Sequence, residues 1–196
     1  MSLEHVILGF LSEHPRSGYD LKVRCFDHDT RLFWSADQAQ IYRTLERLRT
    51  AQLITKTRQR SQGRPDRLVY DITATGRDVL TGWLSSTAPL QPTRDAFALQ
   101  LYFGAGLSDP TLAHVLAERR AEHQSRLDDL RQQADELATV ASVSERAMVL
   151  RQTAFDGAIA RERTTIDWLD DCIDAIEGGV LPGIVDGSRQ EHLSGA

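Results

Sequence analysis

The segment of residues 35–73 constrains the fold of this 196-residue chain more than any other part. Apolar residues at Ile41, Leu45 and Leu48 have the spacing of an amphipathic helix with one buried face. Two short stretches rich in β-forming residues follow, at 53–60 and 67–73, and a turn at residues 61–66 separates them. The order of helix, strand, basic turn and strand predicts a helix-turn-helix unit with a β wing.

Further helices are predicted on both sides of this segment. Residues 3–13 place their apolar side chains on one helical face. Ser17 is the expected N-cap of a second helix that reaches about Phe26, and residues 27–30 are expected to form a turn. Asp37 is the expected N-cap of the third helix, and a fourth begins at Thr73 or Thr75. Three helices, a two-stranded hairpin and one more helix form a winged helix-turn-helix.

A stretch with two prolines, residues 85–93, marks the expected domain boundary. The predicted domains are a winged helix-turn-helix DNA-binding domain at 1–88, a helical dimerisation and effector domain at 94–178, and a flexible tail at 179–196. The second domain is expected to contain a short helix at 94–103, a long helix starting near Ser108 and another at about 144–177. The fold class is therefore mainly α with a small β-hairpin.

Two long helices with wide apolar stripes leave part of those stripes uncovered. In the helix predicted near 144–177 the stripe runs from Leu150 to Ile176. A second copy of the chain, offering the same stripes, would cover them in an antiparallel homodimer. The alternative is an intrachain bundle with the winged domain docked against it.

Charge is distributed unevenly along the chain. Residues 1–80 contain 13 basic and 10 acidic residues, a net charge of +3, whereas residues 81–196 contain 10 and 18, a net charge of −8. Residues 43–67 alone contain eight basic and two acidic residues, a net charge of +6. A local basic patch of this kind is typical of a surface that binds nucleic-acid phosphates.

Several short motifs resemble the PadR family of bacterial transcription factors, named for the phenolic-acid-decarboxylase regulator. The motifs are Gly18-Tyr-Asp-Leu21, Phe33-Trp34, Gln40-Ile-Tyr42, Gly63-Arg-Pro65 and Tyr70-Asp-Ile-Thr73, and in the second half Leu99-Gln-Leu-Tyr-Phe-Gly104, Arg119-Arg-Ala-Glu-His123 and Trp168-Leu-Asp170. The chain departs from the family at Arg43, where proline is usual, and around Gln52, where the usual glycine is absent. The resemblance implies a homodimeric repressor that a small molecule or another signal releases from its operator.

The candidate DNA-binding residues lie on the third helix and on the wing: Gln38, Gln40, Tyr42, Arg43, Arg47, Lys56 and Arg64. A helix rich in long donors suits the major groove, and a narrow basic hairpin suits phosphates or the minor groove. The motif suggests that Tyr42 donates its hydroxyl to a phosphate, and packing in the core is the alternative. Arg64 is expected to contact DNA from the tip of the turn, and a solvated turn residue is its alternative.

Aromatic residues suggest an effector pocket between the winged domain and the helical arm. They are Tyr19, Phe97, Tyr102, Phe155 and Trp168. Such pockets are mostly apolar with a few placed polar groups. The alternative is that these residues form the core of the domain junction.

Enzymatic activity, metal binding and a cofactor are not expected. The sequence contains neither a nucleophile elbow nor a phosphate-binding glycine loop. Cys25 and His28 resemble half of a metal site, but a second pair at matching distance is missing. Two distant cysteines and the lack of a long apolar run predict a reduced cytoplasmic protein. The rival functions are a protein-interaction module and a nucleoid-type protein that binds DNA without sequence preference.

Overall fold

The computed structural model describes residues 3–61, 64–87, 94–138 and 144–179. Two compact units divide the chain, Met1–Pro92 and Thr93–Ala196. Among the described residues, the first unit contains five helical segments and a small sheet, and the second contains only helices and the segments that connect them. The fold is therefore mainly α with a winged sheet, as predicted.

The first unit begins with α1 (Leu3–Glu13), the two-residue strand β1 (Arg16–Ser17) and the single turn α2 (Gly18–Asp20). A π-helix, Leu21–Asp29, continues directly from α2. The predicted turn at residues 27–30 is therefore wrong, because residues 27–29 belong to this helix. Cys25 and Phe26 are buried in the core, so the π-helix supplies packing as the predicted second helix was expected to.

The central helix α3 (Gln38–Thr50) begins where the sequence predicts, at the N-cap Asp37. Its buried side chains are Ile41, Thr44, Leu45 and Leu48. The strands β2 (Ile54–Ser61) and β3 (Arg64–Ile72) pair in antiparallel register, with Ile54 opposite Ile72. Thr73 then caps α4 (Ala74–Leu84), accepting a hydrogen bond from the Gly76 amide.

The sheet has three strands rather than the two predicted, in the order β1-β3-β2. In β1, Arg16 pairs with Tyr70 and Ser17 pairs with Val69. The strand β3 also starts earlier than predicted, at Arg64, so residues 64–66 lie in the strand and not in the turn. Gln62 and Gly63 of the predicted turn lie outside the described residues.

A continuous core joins α1, the π-helix, α3 and the sheet. It contains Ile7, Leu8, Leu11, Leu21, Phe26, Ile41, Leu45, Leu48, Ile54, Tyr70 and Ile72, among others. Gly76 lets α4 approach the sheet closely, because a Cβ there would lie 2.1 Å from the carbonyl oxygen of Leu53. The buried face of α3 packs against this core, and the opposite face is exposed to solvent.

The second unit contains α5 (Ala96–Tyr102), a 3-10 turn (Gly104–Gly106) and two long helices, α6 (Asp109–Ala138) and α7 (Glu145–Glu177). Leu116, Leu169 and Ile176 form the centre of one core cluster. Leu150, which the sequence places on the buried stripe of α7, is instead 58% exposed. The predicted tail lies outside the described residues apart from Gly179.

Ion pairs also join α6 to α7. The guanidinium of Arg120 donates two hydrogen bonds to Asp170, at 2.5 and 3.1 Å. Glu162 accepts from Arg126 at 2.9 Å and contacts the Nδ1 atom of His123 at 2.5 Å. His123, the last residue of the motif Arg119-Arg-Ala-Glu-His123, is therefore engaged in helix pairing.

Candidate nucleic-acid interface

The start of α3 is fixed by a reciprocal capping box. The Asp37 carboxylate accepts a hydrogen bond from the Gln40 amide at 2.7 Å, and the side-chain oxygen of Gln40 accepts one from the Asp37 amide at 3.1 Å. These bonds satisfy two backbone donors that the helix terminus would otherwise leave open. Gln40, a predicted DNA contact, therefore also caps the helix through its side-chain oxygen.

The remaining face of α3 is exposed to solvent. Its exposed residues include the predicted DNA contacts Gln38, Gln40, Tyr42, Arg43 and Arg47. A shallow open groove runs along this face, bordered by Leu3, Trp34 and Ser35. The sequence therefore assigned the exposed and buried faces of this helix correctly, because a 3.6-residue period separates them.

Tyr42 is 40% exposed, and its ring lies directly against Gly18. A Cβ on Gly18 would lie 2.6 Å from the ring and 2.9 Å from the hydroxyl oxygen. Residue 18 must therefore lack a side chain for the ring to occupy this position. The contact places the start of α2 beneath the tyrosine of α3.

Arg47 is tethered although it is largely exposed. Its Nη2 atom lies 3.4 Å from Glu4 of α1 and donates to the Thr44 hydroxyl at 3.3 Å. Arg43 is exposed. In the described part of the chain Arg43 takes part in no ion pair, so its guanidinium is available to an external anion.

Lys56 and Arg49 share one acidic partner, Glu46. The Glu46 carboxylate accepts from Arg49 at 2.9 Å and from Lys56 at 3.3 Å. The hydrogen bonds from Arg49 and Lys56 lower the pKa of Glu46, and the bond to Glu46 raises the pKa of Lys56. Lys56 also lies 5.7 Å from the centre of the Tyr70 ring. The charge of Lys56 is therefore partly compensated within the protein.

Arg67 of β3 contacts Asp20 of the neighbouring helix α2. Its Nη2 atom donates to the Asp20 carboxylate at 2.5 Å and to the Ser17 hydroxyl at 3.3 Å. Arg64, the predicted wing contact, pairs through its backbone with Ser61. The Arg64 side chain lies outside the described part of the structure, so its predicted role stays a prediction.

Sequence analysis missed the acidic partners of the basic surface, which are Glu4, Asp20 and Glu46. Ser17 and Asp20 have the three-residue spacing of a capping box, so a search for helix N-termini would have found Asp20. Glu46 lies three residues before Arg49, a spacing that predicts an ion pair on one helix. Nothing in the sequence indicates that Glu4 reaches Arg47.

The aromatic residues of the predicted effector pocket differ in exposure. In the second unit Phe97 and Trp168 make an edge-to-face contact with ring centres 6.5 Å apart, and the Arg119 guanidinium lies 5.1 Å from the Phe97 ring. Tyr102 is 79% exposed, whereas Phe155 is only 4% exposed. Tyr19 belongs to the first unit and is exposed. Their assignment to one pocket stays a prediction.

The described residues provide neither a metal site nor a reactive cysteine at position 25. They contain no cluster of three His, Cys, Asp or Glu side chains that could hold a metal ion. Cys25 is buried, and burial raises the pKa of its thiol to about 12. A thiol with that pKa is a poor nucleophile at neutral pH. Within the described part of the chain, no helix is long and apolar enough to span a membrane.

Two family profiles match adjacent parts of the chain. Residues 7–82 match the PadR-like family of transcriptional regulators, and residues 93–177 match the C-terminal domain of virulence activator alpha. The chain is 34% identical over 195 residues to the probable transcriptional regulator Rv1176c of Mycobacterium tuberculosis, covering 90% of this chain and 98% of that protein. It is 27% identical over 183 residues to the negative transcriptional regulator PadR of Bacillus subtilis, covering 89% and 97%.

Solved structures of the Bacillus subtilis PadR protein are similar over the same length. Its complex with operator DNA superposes with a TM-score of 0.75 at 27% identity, covering 89% of this chain and 98% of that one. Its complex with p-coumaric acid superposes with a TM-score of 0.76 at 26% identity, covering 89% and 95%. These matches agree with the motifs in α2, α3 and the wing, and the chain belongs to the PadR-like family of transcriptional regulators.

Proposed function

We propose that this protein is a homodimeric repressor that binds a specific DNA operator and is released by a small-molecule effector. In the proposed complex α3 enters the major groove and the β2–β3 wing contacts phosphates or the minor groove. The observation that carries the proposal is the exposed face of α3, where Gln38, Tyr42 and Arg43 lie on a helix fixed by its cap and core. The operator complex of the Bacillus subtilis relative supports it.

The DNA part is tested by fluorescence anisotropy with the promoter of the protein's own gene and with a scrambled duplex. We expect tighter binding to the promoter by at least about a thousandfold, the lower range for specific regulators. Equal affinity for both duplexes would favour the nucleoid-type alternative, and weak salt-insensitive association would favour the protein-interaction module.

Arg43→Ala should change which base is tolerated at one position, since a bidentate base contact contributes about 1–3 kcal/mol of discrimination.

The homodimer is supported by apolar side chains that the described second unit leaves exposed. Val149 and Leu150 on α7 are each 58% exposed, and Tyr102 and Phe103 at the end of α5 are more than 70% exposed. Light scattering at micromolar concentration should give twice the mass of one chain. Leu150→Glu should weaken the dimer, whereas Leu68→Glu, at a leucine 47% exposed on β3, should leave the mass unchanged. A monomeric wild-type protein would contradict the proposal.

The effector is proposed to be a small aromatic or apolar molecule. Phe97, Trp168 and Arg119 place two aromatic rings beside one cation, which suits an aromatic carboxylate. The p-coumaric acid bound by the Bacillus subtilis relative is therefore a suitable first probe.

We further propose that the protein has no catalytic activity and acts in the cytoplasm, as its family of transcriptional regulators supports.

A further inference from the structure

One carboxylate lies at the centre of a hydrogen-bonded network in the winged unit. An oxygen of Asp20 accepts from the Ser17 hydroxyl at 2.6 Å, from the Ser17 amide at 3.1 Å and from Arg67 at 2.5 Å. The Asp20 side chain is 16% exposed, and that of Arg67 is 53% exposed. The bond from Arg67 joins two charged groups, and such bonds are stronger than those between neutral groups.

This network joins the wing to the N-terminus of α2. Ser17 lies in β1, where it pairs with Val69, two residues beyond Arg67 on the wing strand. A strand of two residues provides little pairing by itself. The bond between Asp20 and Arg67 is therefore a second, independent link between α2 and β3.

The same network also connects to α3. Ser17 caps α2, and Gly18, the next residue, lies beneath the ring of Tyr42. A short path thus runs from Arg67 through Asp20 to Ser17, continues along the chain to Gly18 and ends at the ring of Tyr42. The wing strand and α3 are therefore linked through this path as well as through the core that they share.

We infer that Asp20 is a positioning residue for DNA recognition, which fixes the wing relative to α3 and keeps Arg67 away from DNA phosphates. This inference rests on the proposed operator binding. Specific binding requires the helix and the wing to fit the duplex together, whereas non-specific binding depends mainly on the number of cations that reach phosphates. Loss of the link should therefore reduce discrimination while leaving or raising non-specific affinity.

Three variants separate the ion pair from the helix cap. Asp20→Asn keeps an oxygen that can accept from the Ser17 amide but removes the charge that holds Arg67. Asp20→Glu keeps the charge, and glutamate is the usual residue at this position of a capping box. Arg67→Gln removes the partner and the bond from Arg67 to the Ser17 hydroxyl, but it keeps the hydrogen bonds between Ser17 and Asp20 that form the cap. Arg24→Gln is the matched control, since Arg24 lies 3.9 Å from the other Asp20 oxygen and is 76% exposed.

The measurement is anisotropy with promoter and scrambled duplexes over a series of salt concentrations. We expect Asp20→Asn to reduce the ratio of the two affinities by about three- to tenfold, the range for loss of a partly buried charged hydrogen bond. Its salt slope on scrambled DNA should steepen by about one, because the released Arg67 can reach a phosphate. Arg67→Gln should reduce the ratio similarly without a steeper slope, and Asp20→Glu and Arg24→Gln should resemble the wild type.

Hydrogen exchange at the Val69 amide and thermal unfolding report whether each variant folds. Should Asp20→Asn unfold, Arg67→Gln decides the matter, because it leaves the cap intact. A folded Arg67→Gln variant with the wild-type affinity ratio would overturn the inference, as would a folded Asp20→Asn variant with an unchanged ratio and slope. A wild-type protein that does not discriminate between the duplexes would instead refute the proposed operator binding.

Discussion

The Tyr42 ring rests on a residue that has no side chain, and this contact is the clearest example of one position setting the geometry of another. Gly18 begins α2 and is buried, and Tyr42 lies on the exposed side of α3. Both residues belong to motifs that the sequence analysis singled out, Gly18-Tyr-Asp-Leu21 and Gln40-Ile-Tyr42. Sequence alone did not show that the two motifs meet, because they are more than twenty residues apart and belong to different helices.

Gly18→Ala should therefore displace the tyrosine ring. If the Tyr42 hydroxyl contacts a phosphate, the salt slope of DNA binding should become shallower by about one. Gly82→Ala is the control, since a Cβ on that exposed α4 residue meets nothing within 4 Å. Anisotropy titrations over a salt series measure both variants. An unchanged slope for a folded Gly18→Ala protein would remove Tyr42 from the phosphate contacts.

Asp20 also makes the stability of the winged unit depend on pH. Partial burial opposes ionisation of Asp20, but hydrogen bonds from Ser17 and the charge of Arg67 outweigh it and lower the pKa of the carboxyl. A carboxyl whose pKa is lower in the folded protein stabilises the fold above its unfolded pKa, which is about 3.9. This stabilisation is lost as the pH falls from that value through the lower folded pKa.

The free energy of unfolding of the wild type should therefore exceed that of Asp20→Asn at neutral pH, and the difference should shrink as the pH falls below about 4. Urea titrations followed by circular dichroism at several pH values measure this difference. Arg24→Gln serves again as the control, with a difference from wild type that changes little with pH. A difference for Asp20→Asn that stays constant from neutral to acidic pH would contradict the assignment.

The C-terminus of α3 contains a strained residue at a position where the chain departs from the family pattern. The amide of Leu53 donates to the Leu48 carbonyl at 2.9 Å, and the amide of Gln52 donates to the Arg49 carbonyl at 3.0 Å. This pair of bonds is the Schellman motif, which requires a left-handed residue that is usually glycine. Gln52 takes that conformation with φ 59°, at the place where the family commonly has glycine.

Gln52→Gly should stabilise the protein by about 0.5–1 kcal/mol. The left-handed conformation costs a residue with a side chain about 1–2 kcal/mol, and the extra freedom of glycine in the unfolded chain cancels part of the gain. Thermal unfolding should show a raised midpoint. Gln100→Gly inside α5 is the control and should lower stability by about 1 kcal/mol. A lowered midpoint for Gln52→Gly would mean that the glutamine side chain makes contacts worth more than the strain.

Helix starts were the elements most open to prediction. The caps Asp37, Thr73 and Ser144 all precede apolar periodic stretches, and each accepts a hydrogen bond from an amide three residues later. A cap is a local interaction between residues close in sequence, so the sequence contains most of the information. Elements that depend on distant partners were the ones that sequence reasoning missed.

The strand β1 and the π-helix are two such elements. Two residues are too few to show the alternation of a strand, and β1 exists only because β3 lies beside it. The π-helix follows the same apolar pattern as an α-helix, and the pattern contains no signal for hydrogen bonds five residues apart. The strand β3 was predicted to start late because Pro65 suggests a turn. Proline is tolerated there because, in the described sheet, β1 pairs only with Val69 and Tyr70.

For the whole molecule, the charge of the basic patch cannot be read from a sequence window. Residues 43–67 have a net charge of +6, but Arg47 and Arg67 pair with Glu4 and Asp20, which lie outside the window. Glu46, which is already counted in that window, pairs with Arg49 and Lys56. The sequence thus predicted which face of α3 is exposed. The pairings of Arg47 with Glu4 and of Arg67 with Asp20 become visible only in the folded chain.

The proposed effector and the operator must influence each other through differences in affinity between two states of the whole molecule. A ligand shifts the DNA-competent population only if it binds one state more tightly, and the effect is reciprocal. Effector and operator should therefore weaken each other's binding by the same factor, typically about 5- to 150-fold. Calorimetry with the phenolic probe, on the free protein and on its complex with the promoter duplex, measures this factor from both sides.

Trp168 is the better position for testing the effector site, and Phe155 is the matched comparison. Trp168 is 44% exposed and contacts Phe97 edge-on, so Trp168→Ala should weaken binding of the probe at least about fivefold and leave operator affinity unchanged. Phe155 is 4% exposed, so Phe155→Ala should lower the free energy of unfolding by about 3–5 kcal/mol and affect both ligands through the fold. Equal affinity of the probe for wild type and a folded Trp168→Ala variant would exclude Trp168 from the site. A probe that binds free protein and the DNA complex equally tightly would not be an inducer.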